Sequence, residues 1–436
     1  MNVEILQCAD ALSEIMSCKQ GDEDSGGGMM NEWREATHKE FLSVEDGMAA
    51  VTDGGDSGGG MTATWVECLL GDVVNLKRGY DLPHRVRSAG AFPVVSSSGV
   101  TDYHSEAKVK GPGVVTGRYG TLGQVFYIES DYWPLNTSLY VQDFKGNDPR
   151  FISYFLGTLN FESQNAAGAV PGINRNHLHA MDVRIPSLPV QRRIAGILSA
   201  YDELIENSQR RIRILEEMAR ALYREWFVHF RFPGHENHPH VPSSLGDIPQ
   251  GWDVKKLKDV CLLTMGQSPK SEFYNDTGEG QPFHQGVTNF GERFPTDRLF
   301  CTVNGRIAEA GDILFSVRAP VGRMNIADKK IIIGRGLSAI RNMAGHQAFL
   351  WEQLRNRFTK DDMIGNGAIF AAVTKDDMQG IELVCPPAPL VFAATKHFEP
   401  IHSELGALTK QIQNLRCTRD LLLPRLLSGQ IVMNNE

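Results

Sequence analysis

Arginine, lysine, asparagine and glutamine residues recur in short, glycine-flanked loops that follow apolar, β-type runs of this sequence. These side chains can make bidentate contacts to base edges or neutralise phosphate groups, so the loops are candidate nucleic-acid contacts. A single loop of this kind is more often a solvated turn. The loops occur at corresponding places in two halves of the chain, however, and this duplication favours a function for the set. The candidates are Lys77, Arg78, Tyr80, Arg118, Tyr119, Asn174 and Arg175 in the first half, and Gln267, Lys270, Gln285, Arg318, Arg323 and Arg335 in the second.

Catalytic motifs are absent from the sequence. No Gly-x4-Gly-Lys-Ser/Thr phosphate-binding loop occurs, so the chain is not expected to drive ATP-dependent motion. The Asn/Asp-Pro-Pro-aromatic motif with which amino-methyltransferases hold an extruded base is also missing, because the only Pro-Pro pair lies in Cys385–Ala388. Asp102, Glu106 and Lys108 resemble a nuclease carboxylate–lysine set, but they are too closely spaced to lie on two strands.

Histidines are concentrated in a proline-rich connector, where a solvated linker is the favoured interpretation. No cysteine or carboxylate pattern beside them completes a metal site. We therefore expect no catalytic residue, no metal and no cofactor in this chain. The clustered histidines are His229, His235, His238 and His240.

Two heptad-patterned stretches stand 200 residues apart and must position these loops. In both, mostly apolar residues fall at alternating steps of three and four, with mixed charges on the other faces, which is typical of coiled-coil helices. Each seam spans about 30 residues, or about 45–50 Å. Pro400 lies near the start of the second seam and suits a first helical turn or a kink. The seam residues expected to pack between the helices or to contact a partner are Leu198, Ile205, Ile212, Leu215 and Leu222, with Leu405, Ile412, Leu415 and Leu422 in the second stretch.

A repeat of this length corresponds to two tandem domains. Gly322 matches Gly123, and the Gly-Ala pair at 367–368 matches the pair at 168–169, both at an offset of 199 residues. We predict an α/β (α+β) fold in which two tandem domains are separated by two long antiparallel coiled-coil helices with pseudo-twofold symmetry. The predicted segments are a flexible acidic extension (1–60), domain 1 (61–189), helix 1 (190–228), a connector (229–246), domain 2 (247–389), helix 2 (390–427) and a tail (428–436).

Composition and charge are those of a globular protein in a reducing compartment. The seven cysteines are scattered and form no CxxC pair, which predicts reduced thiols rather than a disulfide framework. The sequence has no secretory pattern and no apolar run of about 18 residues, so we expect a cytoplasmic chain without membrane contact. The net charge of −8 arises in residues 1–60, which hold 13 acidic and 3 basic residues, whereas the rest carries +2. The field of the main body therefore does not oppose a polyanion. The extension, with its two near-identical glycine-rich joints, is interpreted as an appendage rather than a functional arm.

The repeats resemble the specificity (S) subunits of type I DNA restriction-modification systems. The resemblance covers about residues 65–431, and it is carried by Ile185–Ile194, Ala219–Phe227 and Leu421–Gly429, with Val170–Leu178 in support. Together these segments are far more specific than a heptad pattern alone.

The resemblance implies two target-recognition domains, each reading half of a bipartite, gapped site on double-stranded DNA, and two helices that set the gap. It also implies two methyltransferase (M) subunits that bind S-adenosylmethionine and methylate adenine N6, and a restriction (R) subunit that uses ATP and Mg. The chain itself would be non-catalytic and would act as a scaffold for these partners. Recognition residues vary within the family, so the resemblance assigns no individual base contact.

Two departures and two alternatives accompany this interpretation. The acidic extension is outside the family pattern, and the second helix has Pro389–Val391 where the first has an entry containing Gln191. A coiled-coil protein-interaction module without DNA specificity is the main alternative. A fused methyltransferase or nuclease is the less favoured one, and it would require turnover by the isolated chain.

Overall fold

Short strands and helices alternate along the chain and are interrupted by two helices of 40 residues each. The computed structural model describes residues 65–119, 123–159, 161, 172–359 and 373–431. The predicted extension and both Gly-Ala pairs lie outside these residues. The described residues form two compact units: the first-domain unit comprises residues 65–203 and 417–431, and the second-domain unit comprises residues 204–416.

The first repeat builds three small sheets. One sheet has the strand order β2-β8-β5-β6, a second has the order β4-β3-β7, and β1 pairs with β9. In chain order the elements are β1 (Val66–Leu69), α1 (Leu70–Val73), β2 (Asn75–Arg78), β3 (Phe92–Ser96), β4 (Gly99–His104), β5 (Gly113–Gly117), β6 (Val125–Ile128), β7 (Trp133–Pro134), β8 (Ser138–Asp143), α2 (Pro149–Thr158), α3 (Arg175–His179), β9 (Asp182–Ile185) and the long helix α4 (Leu188–Phe227).

The second repeat follows with sheets of order β13-β21-β18-β19 and β14-β16-β15-β20-β17, and with the pairs β10-β11 and β12-β22. Its elements are β10 (His240–Ser243), β11 (Gly246–Pro249), β12 (Asp253–Lys256), α5 (Leu257–Val260), β13 (Cys261–Met265), β14 (Tyr274–Asn275), β15 (Gln281–His284), β16 (Phe300–Cys301), β17 (Ile307–Ala308), β18 (Ile313–Ser316), β19 (Met324–Ile326), β20 (Ile331–Ile333), β21 (Leu337–Asn342), α6 (Gln347–Thr359), α7 (Lys375–Gly380), β22 (Glu382–Cys385) and the long helix α8 (Ala388–Leu427).

Each repeat contains its own four-stranded antiparallel sheet, and the two sheets have the same strand register. Val115 of β5 pairs with Tyr140 of β8, and Leu314 of β18 pairs with Ala339 of β21. Both residues of the second pair lie 199 positions after those of the first. The predicted α+β class and the tandem repeat are therefore confirmed.

Side-chain caps fix where short helices begin. Asp148 accepts a hydrogen bond from the Phe151 amide at 2.9 Å, and Pro149 occupies the first turn of α2, where its missing N–H costs nothing. In the second repeat, Thr374 and Asp377 form a reciprocal capping box at the start of α7. Both starts are encoded locally, by residues within four positions of one another.

The two long helices pair within each unit. In the first-domain unit, Arg419 Nη1 of α8 lies 2.6 Å from Asp202 Oδ1 of α4, and Asp202 Oδ2 accepts a hydrogen bond from the Tyr154 hydroxyl. In the second-domain unit, Arg211 of α4 lies 2.5 Å from Glu404 of α8. In each unit, the earlier part of one helix thus lies beside the later part of the other, which is the predicted antiparallel arrangement.

Burial along the predicted seam is uneven. Leu198, Ile205, Leu405 and Ile412 are buried. The remaining seam residues are half-buried: Ile212, Leu215, Leu222, Leu415 and Leu422.

Helix α8 begins at Ala388, two residues before the predicted start at residue 390, and it continues through Pro400. Pro400 therefore does not lie in the first turn, which was one of the two positions considered for it. Ala394 and Phe398, in the preceding turns, are buried in a core cluster with Tyr223 of α4. Burial of these apolar side chains compensates for the hydrogen bond that proline cannot make.

The core of the first-domain unit includes the far end of the chain. Leu426 and Leu427 of α8 are buried with Ile194 and Leu198 of α4 and with Phe151 of α2. The main sheet contributes apolar residues to the same cluster. The last turns of α8 are therefore part of the first-domain unit.

We expect Leu426→Ala to lower the free energy of unfolding of the first-domain unit by about 3 kcal/mol, because it removes a buried leucine and leaves a cavity. Hydrogen–deuterium exchange should show faster exchange of the β5 and β8 amides. Leu69→Ala, at a leucine of the same unit that is 44% exposed, is the matched control. Equal loss of protection in β18 and β21 would contradict the assignment of Leu426 to the first-domain core.

Two further expectations concern cysteines and membranes. Cys68, Cys261, Cys301 and Cys385 are free thiols, whereas Cys417 is disulfide-bonded, so the expectation of reduced thiols is wrong at Cys417. Among the described residues, no helix combines the length and the apolar character needed to cross a membrane.

Candidate nucleic-acid interface

Four strand ends meet in the second domain, and they bring most of its candidate contacts together. The Gly266 amide, after β13, donates to Leu337 O at 2.9 Å, and the Gln267 amide donates to Ile333 O at 3.0 Å. The Gly336 amide, before β21, donates to Gln285 O at 3.0 Å. These backbone bonds join the loops after β13, β15 and β20, and we call this region the loop junction of the second domain.

Glycines allow this close approach of backbones. A Cβ atom on Gly266 would lie 2.1 Å from Gly334 O, and one on Gly336 would lie 2.5 Å from Gln285 O. Real Cβ contacts are essentially never shorter than 3.0 Å, so side chains at these positions would force the loops apart. The junction therefore depends on glycine for space rather than for backbone conformation.

The side chains around the junction point to solvent and are mostly cationic or amide. Gln267, Gln285 and Arg335 are exposed, and the Arg335 amide donates to Ser268 Oγ at 3.2 Å. Arg318 is also exposed and follows Val317, whose amide donates to Gly336 O. The structure thus brings these four candidates to adjoining loops.

Two candidates of the second domain have local partners. Lys270 is exposed, and its ammonium lies 3.8 Å from Glu272. The Arg323 amide donates to Ser316 Oγ at 2.8 Å, while its side chain is exposed. The backbone of Arg323 thereby closes the turn between β18 and β19.

The first domain has an equivalent loop junction. The Gly79 amide donates to Ser138 O at 3.1 Å, and the Tyr80 amide donates to Pro134 O at 2.8 Å. Ser138 and Pro134 lie 199 positions before Leu337 and Ile333, the acceptors in the second domain. A Cβ atom on Gly79 would lie 2.2 Å from a backbone oxygen, as at Gly266. Tyr80 and Gln267 therefore occupy equivalent positions.

Arg118 and Tyr119 join this region to the loop before α3. The Arg118 amide donates to Thr137 O at 3.0 Å, and its carbonyl accepts from the Ile173 amide at 3.0 Å. The Arg118 guanidinium lies 4.6 Å from the centre of the Tyr119 ring, and Tyr119 is exposed. A planar cation against an exposed aromatic ring is well suited to contact a nucleic acid.

Asn174 and Arg175, in the same loop, have different settings. Asn174 caps α3, because its side chain accepts a hydrogen bond from the Asn176 amide at 3.0 Å. Arg175 is exposed. The cap occupies one acceptor of Asn174, so local structure alone accounts for this residue.

Lys108, which the sequence did not identify as a DNA contact, lies beside Tyr80. Its ammonium is 5.6 Å from the ring centres of both Tyr80 and Trp133, and Lys77 is 5.9 Å from the Tyr80 ring. Arg78, the remaining candidate of this loop, is exposed. Thirty residues separate Lys108 from Lys77, so only the tertiary fold brings them together.

The acidic and histidine residues singled out in the sequence have other partners in the structure. No group of three or more His, Cys, Asp or Glu side chains among them could hold a metal ion. Asp102 lies 3.0 Å from Arg87, whose hydrogen bond holds the pKa of Asp102 below its ordinary value. Asp102 thus pairs with Arg87 rather than forming a set with Lys108. Arg87 and Asp102 line an open cleft of about 350 Å³ beside β4.

The connector histidines make local hydrogen bonds. His235 Nδ1 lies 2.8 Å from Phe232 O, and His238 Nε2 lies 2.7 Å from Gln250 O. Each bond uses a backbone acceptor, so these rings help to order the connector.

Comparisons with known proteins agree with this architecture. The family described as type I restriction modification DNA specificity domain matches residues 63–217 and 249–390. A type I restriction enzyme MjaX specificity subunit of Methanocaldococcus jannaschii is 33% identical over 295 residues, covering 65% of this chain and 68% of the relative. The MjaIX specificity subunit of the same organism is 24% identical over 286 residues, covering 60% and 63%. The crystal structure of a type I restriction-modification S subunit from M. genitalium has the same fold, with a TM-score of 0.63, 16% identity, and coverage of 84% of this chain and 96% of that chain.

Proposed function

This chain belongs to the type I restriction-modification DNA specificity family, and from that membership we propose that it reads a bipartite, gapped site on double-stranded DNA. One observation carries the proposal. Both repeats form the same four-stranded sheet with the same glycine-dependent loop junction, and exposed Arg, Lys, Gln or Tyr side chains surround each junction. Two equivalent reading surfaces in one chain suit two half-sites on one DNA molecule.

The long helices support the gapped character of the proposed site. Each has 40 residues and is therefore about 60 Å long at 1.5 Å per residue. One turn of DNA is about 34–36 Å, so half-sites on successive turns are the expected arrangement.

We further propose that the chain is non-catalytic and carries two methyltransferase subunits and a restriction subunit. Helix α4 offers a surface for such partners, because Leu204, Ile214 and Met218 are 42%, 50% and 53% exposed. Exposed apolar residues on one helix favour contact with another protein. S-adenosylmethionine, ATP and Mg would bind to those partners, and the complex would act in the cytoplasm.

Reconstitution with the methyltransferase subunit from the same source tests the proposal. We expect the complex to methylate adenine in one gapped motif and to bind that motif more tightly than unrelated duplex. The chain alone should bind duplex weakly. Absence of methylation at any gapped motif would overturn the proposal. Salt-independent behaviour on heparin, without affinity for duplex, would instead favour a protein-interaction module.

A further inference from the structure

Two lysines share one aromatic ring on the first domain. Lys77 and Lys108 place their ammonium groups 5.9 and 5.6 Å from the centre of the Tyr80 ring. Lys108 also lies 5.6 Å from the Trp133 ring and is exposed. The ammonium groups therefore lie over aromatic faces, where the ring electrons attract a cation.

These positive charges are not neutralised within the described part of the protein. Neither lysine forms an ion pair within 4.0 Å of a described carboxylate. Asp81, next to Tyr80 in sequence, accepts a hydrogen bond from Asn136, and Asp131 accepts one from the Gly111 amide. Two positive charges close to one ring repel each other, so an anion near them would be stabilising.

Hydrogen bonds from both its hydroxyl and its backbone hold Tyr80 in position beside the lysines. The Tyr80 and Tyr140 hydroxyls lie 3.0 Å apart, and burial, with this hydrogen bond, raises the pKa of Tyr140. The backbone of Tyr80 is fixed by its bond to Pro134 O. Trp133 Nε1 is a buried donor without an acceptor among the described residues, which adds to the excess of donors here.

The second domain lacks this arrangement. Lys77 pairs with Tyr140 across β2 and β8, and the equivalent pair across β13 and β21 is Thr264 with Ala339. Gln267 occupies the position of Tyr80, so the ring is missing as well. The lysine pair is therefore a property of the first domain alone.

We propose that Lys77 and Lys108 clamp one stretch of DNA backbone through phosphate contacts beside the half-site read by the first domain. This inference rests on the proposed function. Lysine is a mobile point charge, which suits a phosphate more than a base edge. The clamp positions the DNA and adds affinity without selecting sequence.

The test uses the reconstituted complex with its methyltransferase subunit and measures duplex affinity between about 50 and 200 mM salt. We expect Lys108→Ala to reduce the slope of log K against log salt by about 0.9, the value for one phosphate contact, and to leave the methylated motif unchanged. Lys108→Arg should retain the slope. Lys110→Ala is the matched control, because Lys110 is an exposed lysine two positions away.

The outcomes separate this inference from the proposed function. A Lys108→Ala slope equal to that of Lys110→Ala, with wild-type methylation intact, would overturn the clamp and leave DNA reading in place. A changed motif with an unchanged slope would overturn the phosphate assignment. A wild-type complex without sequence preference would instead overturn the proposed function. Thermal unfolding of each variant checks that the fold is unaltered.

Discussion

Gly266→Ala is expected to lower the free energy of unfolding of the second domain by about 3 kcal/mol, at the upper end of the usual range for overpacked substitutions. The added Cβ would lie 2.1 Å from Gly334 O, and that atom belongs to backbone that cannot rotate away. The loop after β13 must therefore move by about 1 Å, and the Gly266–Leu337 and Gln267–Ile333 hydrogen bonds weaken together. Denaturant unfolding measures the loss of stability.

The same variant should lose recognition of one half-site, because Gln267, Gln285 and Arg335 no longer lie on joined loops. Methylation mapping should then show a relaxed motif on that side of the gap only. Gly286→Ala is the matched control: Gly286 lies in the same junction, its extended backbone suits any residue, and its Cβ would meet nothing within 4 Å. Equal stability and equal motifs for the two variants would show that the loops do not need glycine at position 266 for space.

Glu352→Ala is expected to lower the free energy of unfolding of the second-domain unit by about 3 kcal/mol, because it removes one of the two carboxylates that stabilise the buried charge of Arg293. Glu352 is 2% exposed and accepts a hydrogen bond from His402 Nε2 at 2.9 Å. His402 Nδ1 in turn accepts from Arg293 Nη2 at 2.9 Å. Burial lowers the pKa of His402, so its ring is neutral and can donate on one side while it accepts on the other.

Arg293 is stabilised by two carboxylates, of which Glu216 has the larger effect and Glu352 the smaller. It is 8% exposed, and burial lowers its pKa to about 10, so it stays charged at neutral pH. The hydrogen bonds from Arg293 through His402 to Glu352 thus connect a loop of the second domain, α8 and α6. Glu352→Gln keeps an acceptor for His402 but loses the charge, and we expect an intermediate effect.

Glu399→Ala serves as the control for this prediction, since Glu399 is an exposed glutamate on α8. Chemical denaturation of the three variants, monitored by tryptophan fluorescence, gives the comparison. A Glu352→Ala change below about 1 kcal/mol would show that solvent or a neighbouring acid compensates Arg293.

The sequence predicted features that repeat or that depend on neighbouring residues. The tandem α+β domains and the antiparallel helix pair follow from the repeat and the apolar periodicity. The loops that contain Gly79 and Gly266 were selected because they carry polar and cationic residues at corresponding places in the two halves. Lys108 was missed because its role depends on Tyr80 and Trp133, which are distant in sequence. The Arg293–His402–Glu352 chain was missed for the same reason, since its members are separated by at least 50 residues.

Pro400 shows where local rules mislead. Proline favours a first turn or a kink there, yet the helix begins at Ala388 and packing of the turns before Pro400 against α4 keeps it intact. Asn174 is the opposite case, because a residue selected as a DNA contact is explained by a helix cap. The base contacts proposed for the other loop residues remain predictions.

The burial of Leu426 and Leu427 in the first-domain core has a consequence for biosynthesis. Among the described residues, the second-domain unit is one continuous stretch, residues 204–416, so all of it is synthesised before residues 417–431. The first-domain unit must wait for residues 417–431, although its sheets emerge first. At about 5–20 residues per second, roughly 10–45 s pass between emergence of Leu198 and of Leu426. During that interval the apolar positions that will receive α8 stay uncovered, so the domain made first is the domain finished last.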